Sequence, residues 1–220
     1  MTRIPQNWSL KEQNRQAAKQ QQRLFDRAGC LVIELLGSPG CGKTSLQEAT
    51  LPALDRCGVL NGDMASDRDI QRLKPFCGWA IQIETGNRCH LSASDWGVLS
   101  ASELAMVDWV FVENVGNLVC PAAFPMGAHR RVLLVSTPEG HDKFTKYPTA
   151  IAAADLVVIS KMELAPYVDF DADFARESIH SIKPHLPVLE LSVRQQTGLE
   201  AWMIWLYLQR SKHCQSEVVP

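Results

Sequence analysis

Apolar residues along this chain fall in short dense runs rather than one long stripe. Seven runs stand out: CLVIELLG (30–37), VLNGD (59–63), WAIQIETG (79–86), WVFVENVG (109–116), RRVLLVST (130–137), LVVIS (156–160) and PVLELS (187–192). Their length and their β-branched and aromatic content predict strands. Several are apolar almost throughout, as strands covered on both faces must be. Between them lie stretches with helical spacing, among them TSLQEATLPALDRC, DRDIQRLKPF, KYPTAIAAAD, FDADFARESIHSI and TGLEAWMIWLYLQR. Strands alternating with helices predict an α/β fold, a mostly parallel sheet flanked by helices on both faces through right-handed crossovers.

The two ends read differently. Residues 9–28 are polar and Gln-rich, with Leu10, Ala17, Leu24, Phe25 and Ala28 at roughly helical spacing. They predict a weakly amphipathic leading helix packed on the domain or on a partner, so 1–29 form a helical extension before a domain at 30–211. The closing SKHCQSEVVP reads as a frayed tail, flexible over 212–220. Neither an internal repeat nor a linker divides the chain.

Composition narrows the classes. The 220 residues are 46% apolar and 21% charged, ordinary for one compact domain with a small extension. A formal charge of −2 argues against a chain built to hold nucleic acid or an anionic membrane. No apolar run approaches the roughly 20 residues of a membrane span, and the start lacks the apolar core of a secretory signal. A soluble cytoplasmic protein is the expectation. Seven scattered cysteines (Cys30, Cys41, Cys57, Cys77, Cys89, Cys120 and Cys214) do not suggest a disulfide framework. Most read as small buried residues, with Cys41, Cys57 and Cys77 as packing positions and His213–Cys214 an incidental pair in the tail.

The strongest motif is GSPGCGKTS at 37–45, a match to G-x-x-x-x-G-K-S/T between an apolar strand and a helix. Gly37, Gly40 and Gly42 let the backbone N–H groups of the loop, from Ser38 through Cys41 to Ser45, converge on phosphate oxygens. Lys43 is placed to reach the β and γ phosphates and Thr44 to ligate Mg2+. The competing account is a glycine turn with an exposed lysine, and the strand–loop–helix context weighs against it. The fold class is therefore that of a P-loop nucleoside triphosphatase. Glu113 ends WVFVE and stands three residues before Gly116, an acid-x-x-Gly element suited to a switch in which the acid acts on Mg2+ and the glycine N–H reads the γ-phosphate. Asp63 ends VLNGD and approaches the metal or the attacking water. Solvated carboxylates at strand ends are the plainer reading of both acids.

Two further stretches carry metal chemistry. TGNRCHL (85–91) sets Cys89 beside His90, and ENVGNLVCP (113–121) sets Cys120 four residues after Gly116. Both follow strands, and loops after parallel strands gather at the carboxyl edge of the sheet. Two thiolates and an imidazole suit Zn2+ or Ni2+ rather than Mg2+, with water or a second subunit completing the set. Buried thiols beside a turn histidine are the alternative.

These stretches together resemble the HypB family, the nickel-incorporation GTPases of NiFe hydrogenase assembly. GSPGCGKTSL, NGDMASDRDIQRL, TGNRCHL, ENVGNLVCP, EGHDKFTKYP and AAADLVVISKMEL carry the likeness over nearly the whole chain after residue 30. The related urease nickel GTPase UreG carries a Cys-Pro-His motif that is absent here. The resemblance implies a GTPase using GTP and Mg2+, a nucleotide-dependent homodimer, and a Ni2+ or Zn2+ site at its interface on Cys89, His90 and Cys120. It implies hydrogenase maturation proteins and the hydrogenase large subunit as partners.

The chain departs from the family pattern in places. It carries neither a His-rich stretch nor an N-terminal CxxCGC motif, so the likeness does not extend to nickel storage or a second high-affinity site. Ser66 replaces a threonine and keeps a hydroxyl. SKMEL (160–164) stands where N-K-x-D reads guanine: Lys161 remains, Ser160 replaces Asn and Glu163 replaces Asp. Glutamate has the same fork on a longer stem and overshoots by ~1.5 Å, a mis-seating worth about 1–3 kcal/mol. Val193 and Arg194 depart from the usual Ser-Ala-Lys turn. The expected mechanism is a nucleotide-gated metal switch, with slow hydrolysis because no glutamine follows Gly116 and Asp63 is left to orient the water. The rivals are a structural zinc beside an independent nucleotide site, and a P-loop kinase recruiting Arg68, Arg72 or Arg88.

Overall fold

The computed structural model of the chain describes residues 9–63, 67–86 and 88–216. Among the described residues seven strands form one wholly parallel sheet: β1 (Leu31–Gly37), β2 (Cys57–Asp63), β3 (Trp79–Glu84), β4 (Trp109–Glu113), β5 (Arg130–Ser136), β6 (Leu156–Ser160) and β7 (Val188–Glu190). Their order is β3-β2-β4-β1-β5-β6-β7, with β1 at the centre. Each strand coincides with an apolar run to within a few residues. The helices are α1 (Leu10–Ala28), α2 (Lys43–Thr50), α3 (Arg68–Leu73), α4 (Ala101–Ala105), α5 (Cys120–Ala123), α6 (Lys143–Lys146), α7 (Pro148–Ala153), α8 (Ala172–Ile182) and α9 (Leu199–Ser216).

The pleat of β1 sorts its side chains. Leu31, Ile33 and Leu35 face one core with Leu46 of α2 and Trp202 and Leu206 of α9. On the other face Val32 joins a cluster under α1 and Leu36 joins one under α7 and α8. Glu34 shares that second face, at the seam between the two clusters, and is wholly buried. The leading helix begins on a capping box, Ser9 with Glu12, and ends on Gly29 with φ +68°. Its buried face is Ala18 and Phe25, and Phe25 meets Trp96 edge to face at 4.6 Å. Leu10 and Leu24, assigned to that face by spacing, are exposed.

The closing helix corrects the expectation of a flexible tail from 212. It runs on to Ser216, because its last turns find partners. Arg210 donates to Gly29 O at 2.7 Å, and the His213 ring lies 4.4 Å from the His129 ring, buried. Among the described residues no helix is long and apolar enough to cross a membrane.

Candidate nucleotide and metal site

β1 delivers the chain into the glycine loop and α2 takes it out. Gly42 caps α2 at φ +101°, a conformation L side chains rarely adopt. Lys43 folds back over the loop, donating to Gly37 O at 3.1 Å and Ser38 O at 3.2 Å, with its ammonium 3.8 Å from Glu113. Cys41 contributes backbone only, since burial pushes its thiol up to about 11. Its carbonyl accepts the Ser160 hydroxyl at 2.6 Å, so the residue standing where asparagine was expected still ties the β6 turn to the loop.

Glu113 ends β4 inside this nest. The Thr44 hydroxyl lies 3.3 and 3.2 Å from its two carboxylate oxygens, and Gln47 donates to Oε2 at 2.7 Å. Burial raises the Glu113 pKa, with Lys43 opposing. A hydroxyl and a carboxylate converging beside the phosphate loop are hard oxygen donors, the kind Mg2+ takes. Gln47 escaped the sequence reading; its only signal is its place one turn after Lys43 on α2. Asp63 closes β2, paired in register with Glu84 of β3. Ser66 lies outside the described residues.

A cavity of about 370 Å³ joins these parts, lined by Gly40, Lys43, Thr44, Asn61, Glu113 and Gly116 among others, with Arg72 and Lys161 at its sides. Gly116 closes over the loop: a Cβ there would stand 2.7–2.9 Å from the Pro39 ring, so only glycine fits. Arg72 is engaged by Glu48 at 2.5 Å and Asp69 at 3.1 Å. Lys161 has φ +57° and opens a short 3-10 helix at Met162–Tyr167. Glu163 is not among the cavity's lining residues, and its Oε2 is buried without a hydrogen bond among the described residues. A larger cavity of about 430 Å³ lies under α1 on the opposite face of the sheet, lined by Arg15, Lys19, Glu34 and Arg131 among others, away from the phosphate loop.

Beside the nucleotide cavity the structure brings Cys89, His90 and Cys120 together. One ligand atom from each lies within 4.8 Å of the others. Cys89 Sγ is 3.5 Å from His90 Nδ1, and the His90 ring stacks on Phe124 at 4.5 Å between centroids. The Cys120 pKa is raised, first by its hydrogen bond to Cys89 and then by burial. Burial, then the Arg88 charge, lowers that of His90 and favours the neutral imidazole a metal needs. Cys89 is exposed and Cys120 half-buried, leaving the cluster at the surface. Two soft thiols and an imidazole match Ni2+ or Zn2+. Cys57 and Cys77 are set apart from this chemistry: burial pushes their thiols up to about 12 and about 11.

A second group, Asp26, His129 and His213, has comparable spacing. It is a strap rather than a metal site. Val32 N–H donates to His129 Nδ1 at 2.9 Å, so the neutral ring carries its proton on Nε2 and directs it to Asp26 at 3.0 Å. Neither ring nitrogen of His129 is left to bind a cation.

Asn114 is the residue the motifs conceal. Its Oδ1 accepts the backbone N–H of Leu91 at 2.9 Å and of Val115 at 2.9 Å, and its Nδ2 donates to Glu34 at 2.7 Å. The loop that carries His90 and the loop that carries Gly116 thus share one side chain.

Residues 31–190 match the CobW/HypB/UreG nucleotide-binding domain. The hydrogenase maturation factor HypB of Rhizobium leguminosarum bv. viciae is 40% identical over 200 residues, 89% of this chain and 67% of that one. The factor of the same name from Azotobacter vinelandii is 37% identical, covering 99% of this chain and 73% of its own length. The crystal structure of HypB from Helicobacter pylori in complex with nickel superposes with a TM-score of 0.85 at 33% identity, over 91% of this chain and 96% of that one. A LAO/AO transport system kinase, at a TM-score of 0.55 and 16% identity, shares the fold.

Proposed function

The chain belongs to the CobW/HypB/UreG nucleotide-binding family and, within it, to the HypB hydrogenase maturation factors, and on that premise we propose that it is a GTP-hydrolysing nickel metallochaperone of NiFe hydrogenase maturation. The observation that carries the reading is the segment Glu113–Cys120. Its first residues line the nucleotide cavity and its last residue is a thiol of the metal cluster.

Lys43 binds the β and γ phosphates, exchanging its bonds to Gly37 O and Ser38 O for phosphate oxygens. Thr44 and Glu113 would hold Mg2+, which supplies charge neutralisation at the transferred phosphoryl group when bound. The Gly116 N–H reads the γ-phosphate, and Asp63 orients the attacking water. Lys161 and Glu163 serve the base, with the Glu163 oxygen that has no partner among the described residues as the acceptor for guanine, on a stem longer than aspartate's that seats the base less well. Nickel is the cargo, held by Cys89, His90 and Cys120. Their place at the surface lets a second copy of the chain complete the coordination, so the reading includes a nucleotide-dependent homodimer working in the cytoplasm. Hydrolysis moves Gly116, and with it Cys120, and releases the metal to a maturation partner or the hydrogenase large subunit.

The test is the Ni2+ and Zn2+ affinity of the GDP-bound and non-hydrolysable-GTP-bound protein, measured by competition with a chromophoric chelator. A difference of tenfold or more, about 1.4 kcal/mol of coupling, is expected. Equal affinities in the two states would leave a structural metal beside an independent nucleotide site.

A further inference from the structure

A buried carboxylate in the middle of an apolar strand is strongly unfavourable unless it is paired. Glu34 is such a group, and both of its oxygens are engaged. Asn114 Nδ2 donates to Oε1 at 2.7 Å and Arg131 Nε to Oε2 at 2.9 Å. Each partner has a second hold. Asn114 Oδ1 accepts the N–H of Leu91, the residue after His90. Arg131 donates through Nη2 to the carbonyl of Pro121, the residue after Cys120, at 2.5 Å, and through Nη1 to that of Ala122 at 3.4 Å. One carboxylate therefore sits between two arms, and each arm ends one residue away from a metal-binding side chain.

We propose that Glu34 is a positioning residue of the metal cluster, setting the Cys89–His90 loop and the Cys120 helix at a fixed separation through Asn114 and Arg131. The inference rests on the reading that Cys89, His90 and Cys120 hold nickel. Metal–ligand bonds of about 2.0–2.3 Å leave little tolerance, so ångström-scale drift between the two loops separates the donors from one ion. Glu34 is where the two arms meet, one oxygen taking Asn114 and the other Arg131. Because Asn114 also accepts from Val115 N–H, next to Gly116, the same clamp lies in the path by which the nucleotide switch moves Cys120.

The full chain is compared with Glu34→Gln and with the double variant Glu34→Gln/Arg131→Met. The double variant removes the arginine that the lost charge would leave buried, so folding and positioning are read separately. Three quantities are measured with GDP bound: nickel affinity by chelator competition, the thiolate-to-nickel charge-transfer absorption at saturating nickel, and GDP affinity. Both variants are expected to bind nickel at least tenfold more weakly and to show an altered charge-transfer band, with GDP affinity within twofold of the parent. Folded variants with the parent's nickel affinity and band would overturn the inference and leave the functional reading intact. A parent chain that binds no nickel through Cys89, His90 and Cys120 would overturn both.

Discussion

Gln47 donates a 2.7 Å hydrogen bond to Glu113, from the first turns of α2 to the end of β4. It joins Thr44 in orienting a carboxylate whose pKa burial raises, and both hydrogen bonds oppose that rise. Replacing the acid with its amide keeps the shape and removes the anion. Glu113→Gln is expected to retain GDP binding within a few-fold and to lower kcat for GTP hydrolysis by about 100-fold, in the range of losing one group that acts in the transition state. Steady-state phosphate release checks it, and a near-parental kcat would remove Glu113 from the magnesium site.

Loss of the three clustered side chains proposed to hold the metal should not be rescued elsewhere. The chain with Cys89→Ala, His90→Ala and Cys120→Ala is expected to bind neither Ni2+ nor Zn2+ with high affinity, because His129 spends both nitrogens on Val32 and Asp26. Residual stoichiometric binding in equilibrium dialysis would mean that the Asp26–His129–His213 strap opens to metal.

The strap also sets an acid limit. Burial pushes the His129 pKa down to about 4 from an ordinary 6.5, with Asp26 opposing. The unfolded chain therefore takes up this proton before the folded one does. The contribution is present above pH 6.5 and is lost as pH falls through about 4. It amounts to about 3 kcal/mol. Urea unfolding at stepped pH is expected to show this loss in the parent and a correspondingly shallower slope in His129→Gln.

Base recognition offers a gain. Shortening the acid in Glu163→Asp places the fork where guanine requires it, and tightening of GDP by about tenfold is expected, the equivalent of one well-seated polar contact. Titration with GDP and with inosine diphosphate, which lacks the 2-amino group, reads this directly. Equal gains for both would show that the change acts through the turn rather than the base.

Much of this architecture was legible in the chain. The seven strands, the glycine loop and the acid-x-x-Gly turn announce themselves through short-range pattern, because each is specified by neighbours in sequence. Cys89, His90 and Cys120 were found because loops after parallel strands share one edge. Glu34 was visible as the one charged residue in CLVIELLG, yet its role was not, since its partners stand 80 and 97 residues away. Gln47 and Asn114 were hidden for the same reason. The tail at 212–216 misled because its polar letters read as solvated, whereas His213 is buried against a ring that precedes β5.

The strand order has a last consequence. Ser160, Lys161 and Glu163 lie beyond β5 on one side of the central strand, and Cys89 and His90 follow β3 at the far edge on the other. On the proposed roles, the part that chooses the fuel and the part that carries the freight are separate modules on a common chassis. On the same roles, editing the turn at Ser160–Glu163 would retune which purine drives the cycle, and the cargo grip need not be rebuilt to match.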